Sequence, residues 1–238
     1  MEPEQKRTSP WVFVGIGCVL AVFLVIFAIG GLAFWGFRQV RQFQETMENP
    51  VARTERAQEL LGAEQLPEGY HAVVALSIPF LMETVVLSDR APGENGQIDG
   101  FDRRGFIYFK TLAVGAQEQE LRDFFAGRTE DSQLLDQTSV RVNAEEVVGR
   151  GMLEETGRTI HWASYRGEIN TRGSRESAEG LSTMVMFECP GAERVRMGIW
   201  FGPDPDPAAS PADADFSGSV ADEVEIQRFM RNFDVCSR

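Results

Sequence analysis

The chain has 238 residues, and 23 Lys plus Arg against 36 Asp plus Glu leave a net charge of −13. Glu2, Glu4, Lys6 and Arg7 cancel, so the whole excess lies beyond Phe37, on a surface that repels phosphate backbones and excludes nucleic acid as the expected partner. An apolar fraction of 43% excludes a disordered polar tail and is ample for one medium domain.

Residues 1–10 read as a short N-terminal tail. From Trp11 to Phe37 runs a stretch of 27 residues without a charge, hydroxyl or amide side chain. A bilayer core needs about 20 residues of helix, so this stretch is expected to be a single transmembrane helix. Trp11 and Trp35 fall near its ends, where amphipathic rings prefer the headgroup layer. A cleaved signal peptide fits less well, because its apolar region is shorter and ends at small residues, whereas this run ends in AFWGF. Gly17, Ala21, Ala28 and Gly31 fall on one stripe of the helix. Small residues allow the close backbone approach that joins helices in lipid, so the stripe offers a packing face. Gly is also frequent in membrane helices without that role.

Two signals compete over orientation. Arg38, Arg41, Arg53 and Arg56 outnumber Lys6 and Arg7 across the run, which favours a cytoplasmic domain. Cys189 and Cys236 are the two cysteines outside the run, an even pair that suits a disulfide in an oxidising compartment. Two buried thiols in a reducing cytosol are the alternative. The expectation adopted is a bridged pair and an extracytoplasmic domain.

Residues 38–65 carry helical spacing interrupted by Pro50, and Gly62 is placed to cap the second stretch, so they are expected to form a helical stalk. The soluble domain is expected over 66–238. YHAVVALSI and METVVLSD read as strands, and GFIYFKTL, with aromatics on both faces, reads as an interior strand. Ala116 to Gly127 is expected to be a helix with Leu121, Phe124 and Phe125 inward. Strands follow at Val140–Val148, Met152–Glu155, Thr159–Ile169, Leu181–Cys189 and Arg194–Phe201, the last two as a hairpin turned by Pro190-Gly191. A closing helix from Val220 to Phe233 is expected to start at Ser219 and Asp222. Hairpin-linked strands that outnumber the helices give an α+β fold, a mostly antiparallel sheet packed with helices.

That element order, the early GFIYF strand and the closing helix running into Cys236 resemble the PsbP-type α/β sandwich of small bacterial secreted or anchored domains. The resemblance covers roughly Leu66 to Arg238 and implies binding or scaffolding.

No elbow, phosphate loop, dinucleotide fingerprint or short-spaced His or Cys pair occurs, and no cofactor is expected. His71 and His161 are expected to be hydrogen-bonded structural residues. Asp213, Asp215, Ser217 and Gly218 match the opening half of a calcium loop, although the twelfth position is Val224 with Glu225 beside it. An acidic loop leading into a helix accounts for the same residues.

The functional expectation is a membrane-tethered binding or interaction module, an accessory or subunit protein of a bacterial envelope whose partner joins through the domain or the helix. The alternatives are an anchored enzyme with a pocket around His161, Tyr165 and Trp200, and a transmembrane subunit assembling through the Gly17–Gly31 stripe.

Overall fold

The computed structural model describes residues 49–237, apart from 79–80, 94–95, 99, 113–114, 129–139, 156, 172–177 and 193. The expected membrane segment and its small-residue stripe lie outside the described residues. Among the described residues no helix is long and apolar enough to cross a membrane.

The elements in chain order are α1 (Pro50–Leu61), β1 (His71–Ile78), β2 (Met82–Ser88), β3 (Gly105–Leu112), α2 (Gly115–Phe125), β4 (Val140–Glu155), β5 (Arg158–Thr171), β6 (Ala178–Glu188), β7 (Arg194–Gly202) and α3 (Glu223–Met230). Among the described residues seven strands form one sheet in the order β1-β2-β3-β7-β6-β5-β4, every neighbouring pair antiparallel. Two meanders, β1–β3 and β4–β7, are therefore joined where β3 pairs with β7. This is the α+β sheet that the alternating patterns predict.

Because side chains alternate across a strand, each face carries its own apolar cluster. On one face Phe106, Tyr108, Ile160, Trp162, Val185, Phe187 and Trp200 meet Ala57 and Leu61 of α1 and Ile226, Phe229 and Met230 of α3. On the other, Ala163, Tyr165, Met184, Met186, Met197 and Ile199 meet Leu121, Phe124 and Phe125 of α2. Aromatic stacking orders the first cluster: Trp200 lies on Phe229 with centroids 4.3 Å apart and planes 2° apart.

The stalk assignment needs correction over Pro50–Leu61. Asn49 caps α1 by accepting from Val51 and Ala52, and Gly62 ends it in the left-handed region at φ 63°. A side chain on Gly62 would collide with the backbone carbonyl of Asp234. Ala57 and Leu61 are fully buried, and Arg53, 3% exposed, reaches the Ala72 and Gly96 carbonyls. This helix is a structural part of the folded unit.

The region read as two strands around Gly149-Arg150-Gly151 is one strand of 16 residues with register shifts at Ala144/Glu146 and Val147/Gly149. The glycines are needed because the Trp162 indole lies over them; a Cβ on Gly151 would stand 2.6 Å from its ring. The closing helix starts later than expected. Asp222 is its cap, accepting from Val224, while Val220 lies before the helix with its carbonyl accepting from buried Thr183 at 2.5 Å.

Candidate functional site

Strand alternation places Thr159, His161, Ala163 and Tyr165 of β5 on the α2 face, together with Met184, Met186 and Glu188 of β6. At the end of this face, Glu188 bridges two elements. Its Oε1 accepts from Arg122 Nη1 of α2 at 2.5 Å, and its Oε2 lies 2.9 Å from His161 Nε2. The His161 hydrogen bond, reinforced by Arg122, holds the Glu188 carboxyl below its ordinary value. A carboxylate only accepts, so Nε2 carries a proton and donates it to Glu188. Phe125 stands beside the imidazole, with ring centroids 6.4 Å apart.

Directly after Glu188, Cys189 joins Cys236 with an S–S separation of 1.93 Å and a Cα–Cα distance of 5.4 Å. The bond ties the end of β6 to the segment that follows α3. Arg158, its side chain 6% exposed, secures the same corner. It pairs with Glu155 at 2.6 Å and donates to the carbonyls of Met230 and Phe233, which lie at and beyond the end of α3. Glu155 also accepts from Arg231 at 3.1 Å. Together Arg122, Glu154, Arg158, Thr159, Glu188 and Cys189 line an open depression of mixed charge.

Such a surface offers charged donors and acceptors already held in place. Tyr165 is 1% exposed and burial pushes its phenol well above the ordinary range, so at neutral pH it presents no phenolate. Trp200 is on the opposite face, where Nε1 donates to Tyr70 Oη at 2.8 Å. The enzyme pocket expected around His161, Tyr165 and Trp200 is therefore not assembled: the sheet separates Trp200 from the other two.

The calcium-loop residues are spent on separate local contacts. Asp213 accepts from Ser210 Oγ at 2.7 Å, Asp215 accepts from the Ser217 amide at 3.0 Å, and Glu225 pairs with Arg228 on α3. Gly218 donates to Asp222, the helix cap. Among the described residues no three His, Cys, Asp or Glu side chains converge as a metal site. The preceding loop is held instead by Arg166, which donates to Asp204, Asp206 and Ala209.

Sequence reading missed Glu188 and Arg122. The signal for Glu188 was present: the two-residue period that puts Leu181, Val185 and Phe187 on one face puts Met184, Met186 and Glu188 on the other. Arg122 is 66 residues away in the chain, and only tertiary packing of α2 brings it in.

No family model, no curated protein and no solved structure matches this chain.

Proposed function

We propose that this protein is a membrane-tethered binding module, anchored by Trp11–Phe37 with its folded unit on the extracytoplasmic side of a bacterial envelope. It acts there as an accessory or subunit protein. The observation that carries the tether is the 27-residue run free of polar side chains, which is long enough to span and too costly to leave in water. Placement outside the cytoplasm is supported by the Cys189–Cys236 bridge, since disulfides persist in oxidising compartments. Long domains can translocate against the arginine count that points the other way.

A binding role fits the open, mixed-charge depression at the Glu188 corner, which suits polar groups of a partner better than a buried reaction centre. The likeness to the PsbP-type sandwich, proposed from element order, agrees with that role. The Gly17, Ala21, Ala28 and Gly31 stripe is a second place where a partner helix can join.

Thiol labelling of intact cells with a membrane-impermeant maleimide tests the placement. Cys189 and Cys236 should react only after a reductant is added, without lysis. Labelling without reductant, and only after lysis, overturns it.

A further inference from the structure

Pairing across the sheet aligns one residue of each strand in rows. One row reads Phe109, Met197, Met186, His161, Met152 across β3, β7, β6, β5 and β4. Directly opposed residues share a face, with Cβ atoms about 4.5–5.5 Å apart. His161 is thus flanked on both sides by thioethers, Met186 from the inner strand and Met152 from the edge strand.

The chemistry of the three differs from that of an ordinary core. Methionine commonly fills irregular gaps, and Met186 and Met197, at 4% and 3% exposed, can serve in that way. Met152 fills no gap, because it is 53% exposed beside the half-buried imidazole. The imidazole itself is held as metal-ligating imidazoles are held: one ring N–H donates to a carboxylate, which orients the ring so that in its neutral form Nδ1 is the atom that can ligate. Arg122 grips the far oxygen of that carboxylate and so fixes it in turn.

The geometry points to a soft monovalent metal site, with Met152, His161 Nδ1 and Met186 as ligands for copper(I) and Glu188 as the positioning residue. Thioether sulfur is a soft donor that selects copper(I), and imidazole suits copper as well. Hard cations such as calcium or magnesium require oxygen donors, which this row does not offer. The two cysteines of the folded unit are bonded to each other, so the thioethers are its available soft sulfur. Flexible methionine side chains let the two sulfurs close on an ion from their opposed positions.

Silver(I) nitrate serves as the redox-stable probe, added in detergent and chloride-free buffer to the full-length chain carrying Cys18→Ala, which removes the one cysteine outside the bridge and is the parent of every variant below. Equilibrium dialysis with metal analysis gives stoichiometry and affinity, and the methyl resonances of labelled methionine report which sulfurs respond. One silver(I) per chain is expected, shifting the Met152 and Met186 methyl signals. Met152→Leu conserves volume at an exposed position, so the fold stays intact while stoichiometric binding is lost. Glu188→Gln should weaken binding about 10- to 100-fold. Met82→Leu, outside the row, should leave it unchanged. The site is refuted if the Cys18→Ala parent takes up no silver(I), or if Met152→Leu binds as that parent does. Equal weakening by Met82→Leu refutes it too, and an unchanged affinity in Glu188→Gln refutes the role given to the carboxylate.

Discussion

Arg53 donates from Nε to the backbone carbonyl of Ala72 at 2.6 Å, across 19 residues of chain, and this bond fastens the first helix to the edge strand of the sheet. Its Nη2 reaches the carbonyl of Gly96 at 2.8 Å. Removing a charged donor leaves two carbonyls without their partner, and bonds to charged groups contribute about 1.5–3 kcal/mol each. Arg53→Met should therefore lower stability by about 3 kcal/mol, read from urea unfolding. Deleting residues through Glu64 removes Arg53, Ala57 and Leu61 together and should abolish cooperative unfolding, whereas a chain starting at Thr46 should retain it. Cooperative unfolding of the shorter chain contradicts the place given to α1.

Tyr70 and Trp200 make the second test. The indole N–H is buried beneath Phe229, and the Tyr70 hydroxyl is its acceptor at 2.8 Å. Tyr70→Phe keeps the ring and orphans that donor, which costs about 1–3 kcal/mol. Denaturant unfolding followed by tryptophan fluorescence should show the loss. Tyr70→Phe at wild-type stability contradicts the bond.

The Glu188 carboxyl carries a pH signature. Its folded pKa lies below the ordinary 4.5, first through His161 and then through Arg122. A depressed acid contributes stability that is fully present above its unfolded value and is lost as pH falls through its folded value. Thermal unfolding should show this loss on the acid side of pH 4.5. Glu188→Gln should flatten that part of the profile. An acid limb with unchanged slope in the variant contradicts the assignment.

Cys189 and Cys236 close a loop with a sequence separation of 47 residues. Chain-entropy reasoning for a loop of this size gives about 4 kcal/mol of stabilisation. The Cys189→Ala/Cys236→Ala double variant should lose about that much, measured as a lower urea midpoint with a steeper slope, because the unfolded chain without the bridge exposes more surface. A double variant with the wild-type midpoint rules out a structural contribution from the bridge.

Much of the fold was legible because periodicity reports the faces of a sheet. Met184 to Phe187 and Ile199 to Phe201 are unbroken apolar runs, as strands covered on both faces require, and both strands lie in the interior of the sheet. Reading failed where one residue's neighbour is remote. Arg53 stands at the inward position of α1 and breaks its apolar stripe, so the helix looked like a solvated stalk. Gly149 and Gly151 look like a strand break until Trp162 is laid over them. The Glu188 corner has no spacing signature, because His161 and Arg122 lie 27 and 66 residues away and meet only when β5, β6 and α2 have packed.

Alkaline carbonate extraction of membranes from cells expressing the full chain bears most directly on the tether. The protein should stay in the membrane pellet at high pH and dissolve only in detergent, while a chain lacking Met1–Phe37 should appear in the aqueous fraction. Release of the full chain by carbonate alone would contradict a membrane-spanning Trp11–Phe37.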